Sequence, residues 1–106
     1  MKKEFHAAVL LGLLTLPQSK QLFQYLDYAD RKNLLEAIVH LPYVEKEQTI
    51  EIVSQCLELV TGETIPNGLD EALYQTHLRA FADEKPQILA RYILSLIRKT
   101  DNFYIG

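Results

Sequence analysis

The sequence contains very little of several residue types that mark special classes of protein. It has one cysteine, no tryptophan, four glycines and four prolines among its 106 residues. One cysteine cannot form an intramolecular disulfide, so a disulfide scaffold is excluded and no oxidising compartment is implied. Because glycine and proline are scarce, most of the chain is able to form regular secondary structure.

Charge and hydrophobic content exclude further classes. The chain has 11 lysines and arginines against 14 acidic residues, and the net charge of −3 argues against a nucleic-acid-binding protein with a basic face. Hydrophobic residues make up 48% and charged residues 24%, as is usual in soluble globular domains. The length suits one ordinary domain, so we predict a single helical domain over residues 1–106.

The longest apolar run, from Ala7 to Leu16, resembles the core of a short signal peptide because Lys2 and Lys3 precede it. Glu4 and His6 interrupt the basic region, however, and no small-x-small cleavage site follows the run. The run is also well below the roughly 18 apolar residues that a membrane span requires. We therefore predict a buried first helix and a location in the cytoplasm.

Helical periodicity recurs along the whole chain and predicts six short helices joined by short loops. The first helix is predicted to run from Glu4 to Leu14, and the second to begin at Pro17. Asp27 is predicted to cap the third helix, and Gly62 to follow the end of the fourth. Asn67 and Asp83 are predicted to cap the fifth and the sixth helix, respectively. No segment alternates like a strand. We predict an all-α fold, a compact bundle or armadillo-like superhelix of about six helices without a regular repeat.

The sequence has no catalytic or metal-binding signature. The three histidines, His6, His40 and His77, lie far apart, and none has a second His or Cys at metal-ligand spacing. The four glycines are isolated and form no phosphate-binding loop. Cys56 lies in an apolar helical row, which indicates a buried thiol. We predict a binding domain that is not an enzyme and has no catalytic residue, cofactor or metal ligand.

Several segments follow, in order, the pattern of one protein family. They are Ala7–Leu14, Lys20–Asp27, Leu34–Leu41, Tyr43–Glu47, Asn67–Ala72 and Asp83–Leu89. Together they resemble the N-terminal domain of the flagellar motor switch protein FliG, through a small-residue pair before a leucine run, similar loop lengths and similar helix starts. Two positions depart from that pattern, because Asn67 replaces the first residue of a Gly-Gly pair and Pro86 is unusual in the last helix.

The resemblance implies a non-catalytic scaffold of a flagellar or type III secretion basal body. In that family the domain binds a C-terminal helical tail of the membrane-ring protein FliF and packs against neighbouring copies of itself. The torque-generating charged residues of the family belong to a separate domain, so the resemblance implies ring attachment without motor activity in this chain.

The physical form of this hypothesis is binding of a helix in an apolar groove. The first four predicted helices carry apolar residues on more than one face, which is more than a small core can bury. Either the groove or the core beneath it is predicted to be lined by Leu22, Phe23, Leu26, Leu34, Leu35, Ile38, Ile50 and Val53.

Two alternatives stay open. The first is a cytosolic regulatory domain that senses Mg²⁺, similar to the N-terminal domain of the MgtE transporter, because acidic side chains suit that ion. In this chain the acidic residues stand singly at predicted helix starts, which argues against it. The second is an acidic, helical secretion adaptor or chaperone, although such proteins usually include a sheet.

Overall fold

A computed structural model describes residues 2–66 and 68–98 of the chain, and these residues form six helices without any strand. The helices are α1 (Lys3–Leu13), α2 (Leu16–Phe23), α3 (Tyr28–Val39), α4 (Lys46–Thr61), α5 (Glu71–Glu84) and α6 (Pro86–Ile97). The predicted all-α fold of six helices is therefore confirmed.

The first and last helices occupy the centre of the fold. All residues of Ala7–Leu11 in α1 are buried, and α1 packs against α3, α4 and α6. The last helix, α6, contacts each of the other five. Their apolar side chains belong to one continuous hydrophobic core, in which Leu10 and Leu89 are fully buried. The prediction of a buried first helix is confirmed.

Two predicted helix boundaries are confirmed by hydrogen bonds. The Asp27 carboxylate caps α3 by accepting a bond from the Asp30 N–H at 2.8 Å. At the end of α4, Gly62 adopts a left-handed conformation with φ of 73°, and its N–H donates to the Glu58 carbonyl at 2.9 Å. A glycine suits this position because it has no Cβ to strain a positive φ.

The starts of α2 and α5 differ from the prediction. The second helix begins one residue before Pro17, because Thr15 caps it. The Thr15 N–H donates to Gln18 Oε1 at 3.0 Å, and Thr15 Oγ1 accepts from the Gln18 N–H at 3.4 Å. The predicted cap of the fifth helix, Asn67, lies outside the described residues. The structure places the cap at Asp70, whose carboxylate accepts a bond from the Leu73 N–H at 3.0 Å.

The prediction that Asp83 caps the last helix is wrong. Asp83 lies in the last turn of α5, which runs to Glu84, and α6 begins after one intervening residue at Pro86. Proline favours this break because it has no N–H to continue α5 and its fixed φ suits the first turn of a new helix. The Asp83 carboxylate instead accepts a hydrogen bond from Gln18 Nε2 at 2.8 Å, across 65 positions of sequence.

Gln18 joins the start of α2 to α5. Its side chain is buried, and Nε2 also donates to the Arg79 carbonyl at 3.0 Å. In turn, Nε of Arg79 donates to the carbonyl of Leu13 at 2.8 Å, which satisfies an acceptor at the end of α1. These bonds fix the junction between α1 and α2 against α5.

Replacing Gln18 with alanine is expected to lower the free energy of unfolding by about 1–3 kcal/mol, because it removes three side-chain hydrogen bonds, one of which is the Gln18 half of the capping box at the start of α2. Gln21→Ala is the matched control, since Gln21 is an exposed residue of the same helix. Urea unfolding followed by circular dichroism measures both variants. Equal losses would show that the Gln18 bonds contribute nothing beyond helix propensity.

The largest difference from the sequence prediction concerns α3. Leu34, Leu35 and Ile38 were predicted to line the groove or the core beneath it, and Val39 and Leu41 continue the same apolar segment, but of the first four only Leu34 is buried. The exposed fraction is 51% for Leu35, 37% for Ile38 and 78% for Val39, and Leu41 is half-buried after the helix. The physical reason is that α3 is apolar on two sides, and the core can cover only one of them.

The same limit appears on two other helices. Leu59 of α4 and Leu73 of α5 are also large apolar residues outside the buried rows of their helices, and their side chains are 43% and 46% exposed. On α5 the buried position is the neighbouring residue, Tyr74, whose hydroxyl donates to the Pro66 carbonyl at 3.0 Å. That bond allows the tyrosine to be buried without leaving its hydroxyl unsatisfied.

Candidate functional site

The start of α3 is held in place by an ion pair with the end of α6. Asp30 is buried, and its carboxylate accepts two hydrogen bonds from Arg98, at 3.1 Å from Nε and 2.6 Å from Nη2. The second acid, Asp27, lies 3.7 Å from the same Nη2. Hydrogen bonding to Arg98 lowers the pKa of the Asp30 carboxyl, and burial opposes this shift. The bidentate pair fixes which side of α3 faces the core.

The side of α3 that faces the core is narrow. Asp30, Leu34 and Ala37 are the buried residues of this helix, and α3 packs against α1 and α6. Their spacing of four and then three residues places them in one row along the helix. The other residues of α3 are exposed.

The opposite side of α3 is also largely apolar, and it faces solvent. Tyr28, Lys32, Leu35 and Val39 follow one another at intervals of four, three and four residues, and all four are exposed. At about 100° of rotation per residue, this row lies roughly half a turn from the buried row. Tyr28 and Val39 at its ends are 81% and 78% exposed. We call these four residues the outer α3 stripe.

A shallow groove of about 480 Å³ runs along the outer α3 stripe. Its lining residues are Tyr28, Arg31, Lys32, Leu35, Glu36, Val39 and His40. Tyr43 follows in the next loop and is 87% exposed. An apolar floor with charged residues on both sides is typical of surfaces that bind protein segments.

The structure divides the eight residues that were predicted to line a groove or the core beneath it. Leu22, Leu26, Leu34 and Val53 are buried in the core. Phe23 and Ile50 are half-buried and pack against the core. Leu35 and Ile38 are exposed on α3. Of the eight, Leu35 alone belongs to the outer α3 stripe, and Ile38 lies on its flank.

Sequence reasoning missed most of the outer α3 stripe. Of its four residues, only Leu35 was among the predicted lining residues, and Tyr28, Lys32 and Val39 were not. A signal was present, because intervals of four, three and four residues are a helical row in their own right. It was hidden because Leu34 and Leu35 are adjacent, and periodicity alone does not show which of them faces the core.

A second groove, of about 560 Å³, lies where α1, α3 and α6 meet. Its lining is mixed polar and apolar, and consists of Lys2, Glu4, Phe5, Asn33, Glu36, Ala37, His40 and Ile97. Glu36 and His40 border both grooves. The apolar residues of this second groove are not arranged in a continuous row, so it fits a helical ligand less well than the outer α3 stripe.

Titratable groups of the described residues do not form a reactive cluster. Among residues 2–66 and 68–98, no three His, Cys, Asp or Glu side chains are grouped as metal ligands would be. Cys56 is fully buried, as predicted, and burial raises the pKa of its thiol, which disfavours the nucleophilic thiolate. Burial also lowers the pKa of His6.

No helix within the described part of the chain has both the length and the apolar content that a membrane span needs. Comparisons of the chain with protein-family models, with curated proteins and with solved structures give no match.

Proposed function

We propose that this chain is a non-catalytic adaptor that binds an amphipathic helix of a protein partner along the outer α3 stripe. The observation that carries the proposal is a row of large apolar side chains on the side of α3 opposite the core. The exposed fraction is 81% for Tyr28, 51% for Leu35 and 78% for Val39. Covering these side chains removes apolar surface from water, which is the main driving force of helix-in-groove recognition.

The resemblance to the N-terminal domain of FliG identifies the partner to test first. We propose that it is the C-terminal helical tail of a FliF-like membrane-ring protein, at the cytoplasmic face of the inner membrane. The charged residues that line the groove favour a partner helix that carries charges of both signs, since Arg31 and Lys32 are positive and Glu36 is negative. Nε of Arg31 donates to the Phe23 carbonyl at 2.9 Å, which holds this guanidinium beside the groove.

A titration with a fluorescent peptide tests this function. The probe is a synthetic peptide of the C-terminal helical tail of FliF, and fluorescence anisotropy reports its binding. We expect a Kd of tens of micromolar or tighter, and we expect Leu35→Glu and Val39→Glu to weaken it about tenfold or more, because each places a charge in the apolar contact. The absence of binding at tens of micromolar by the unchanged protein would contradict the proposal.

Leu73→Glu is the matched control for this titration. Leu73 lies on α5 and is 46% exposed, close to the 51% of Leu35, so the same substitution is made at a similar exposure away from α3. It is expected to leave the Kd unchanged. A loss of binding equal to that of Leu35→Glu would show that the effect comes from added negative charge and not from the outer α3 stripe.

The two alternatives stay predictions. A thermal-shift measurement with millimolar Mg²⁺ tests the ion-sensing domain, which requires stabilisation by Mg²⁺ that Ca²⁺ does not reproduce at equal concentration. A secretion adaptor or chaperone would use the same kind of apolar surface, so the peptide titration distinguishes it by failing with the FliF tail.

A further inference from the structure

The intervals between the residues of the outer α3 stripe are the same whether they are counted from its N-terminal or its C-terminal end. Its residues are separated by four, three and four positions, which is the interval pattern of the facing residues in a pair of helices. When two copies of α3 lie antiparallel, Tyr28 is opposite Val39 of the second copy, and Lys32 is opposite its Leu35. Each stripe residue therefore meets another stripe residue, as a two-fold interface requires.

Charge selects the antiparallel direction. In a parallel pair, Lys32 would face Lys32 of the second copy, and two like charges in an apolar contact are unfavourable. In the antiparallel pair, the Lys32 stem covers Leu35 of the second copy. Its ammonium group is then level with Glu36 of that copy, on the same flank of the helix pair. Because the dimer is two-fold symmetric, it contains this opposite-charge pair twice.

We propose that two copies of this chain associate through their outer α3 stripes as an antiparallel two-fold dimer, with Lys32 of each copy paired to Glu36 of the other. Twelve residues of helix are about 18 Å long, so one helix pair buries less than the roughly 1,200 Å² at the low end of stable interfaces. The dimer is therefore weak and depends on concentration. It does not rest on the proposed function, although both use the same surface and exclude one another.

Sedimentation equilibrium of the whole chain, from micromolar to millimolar concentration, tests the dimer. We expect a reversible monomer–dimer equilibrium, which Leu35→Lys weakens about tenfold or more because the new charge faces Lys32 of the second copy, and which the control Leu73→Lys leaves unchanged. Circular dichroism verifies that each variant is folded, as the exposure of both leucines leads us to expect. A protein that stays monomeric throughout, or equal losses in the two variants, would overturn the proposal.

Exchange of the paired charges gives the sharper test. Lys32→Glu and Glu36→Lys are each expected to weaken the dimer severalfold, because each creates two like-charge contacts across the two-fold axis. The double variant restores opposite charges and is expected to recover most of the affinity. A double variant no tighter than the single ones would overturn the antiparallel arrangement.

Different results would contradict the proposed dimer and the proposed function. The peptide titration is carried out at protein concentrations below the dimer dissociation constant, so it measures the monomer. Peptide binding by a protein that never dimerises would contradict only the dimer. Dimerisation by a protein that does not bind the FliF peptide as a monomer would contradict only the proposed partner.

Discussion

Replacing Leu34 with alanine is expected to lower the free energy of unfolding by about 2–5 kcal/mol. Leu34 is fully buried and is the central apolar residue of the row by which α3 packs against α1 and α6. Alanine removes the side-chain atoms that fill this site and leaves a cavity that the surrounding core only partly closes. For a domain of this size, each kcal/mol corresponds to a change in Tm of about 4–8 °C.

The adjacent substitution Leu35→Ala is expected to change the free energy of unfolding by less than about 0.5 kcal/mol. Leu35 is 51% exposed and loses few contacts in the folded protein, and alanine favours the helix. Denaturant unfolding of both variants gives the comparison. Similar losses at the two positions would mean that α3 is rotated about its axis, and the outer α3 stripe would then not exist as described.

Replacing Arg98 with alanine is expected to cost about 2–3 kcal/mol near neutral pH, because it leaves the buried Asp30 carboxylate without its two charged hydrogen bonds. Arg98 itself is half exposed, with 53% of its side-chain surface accessible, so it loses little packing. The effect therefore reports the loss of the ion pair. Arg98→Lys keeps one positive charge without the bidentate geometry, and an intermediate loss is expected.

The effect of Arg98→Ala is expected to vanish in acid. The pKa of Asp30 is lowered from its ordinary value of 3.8 in the folded protein, so the unfolded chain takes up the proton first as pH falls. The stabilisation by Arg98 is therefore fully present above that ordinary pKa and is lost as pH falls through the folded pKa. Urea unfolding of the unchanged protein and of Arg98→Ala, from neutral pH to about pH 2, measures this. A difference that stays constant over the range would contradict an ion pair as its source.

Local features of the sequence predicted much of the fold. Asp27 was assigned as a cap because a short acceptor can satisfy a free N–H at a helix start, and Gly62 was assigned as an end because glycine tolerates a positive φ. Both interactions involve residues within four positions of one another. The all-α fold and the buried Ala7–Leu11 segment likewise follow from local periodicity and apolar content.

What the sequence did not predict depends on contacts between distant residues. Asp83 has the chemistry of a helix cap, but its carboxylate is bound by Gln18, and no local pattern indicates that pair. The outer α3 stripe was missed for a related reason. Leu34 and Leu35 are equally apolar, and only the packing of α3 against α1 and α6, fixed by Asp30 and Arg98, determines which one is buried.

The central place of α1 has a consequence for the order in which the molecule can fold during its synthesis. The helix made first packs against α6, which is the last described helix to leave the ribosome. Until residues 86–97 emerge, the apolar segment Ala7–Leu11 lacks one of the three helices that bury it. The nascent chain therefore leaves its apolar first helix partly uncovered until α6 has emerged. A chaperone that recognises apolar segments would find its binding site there, and completion of α6 would close it.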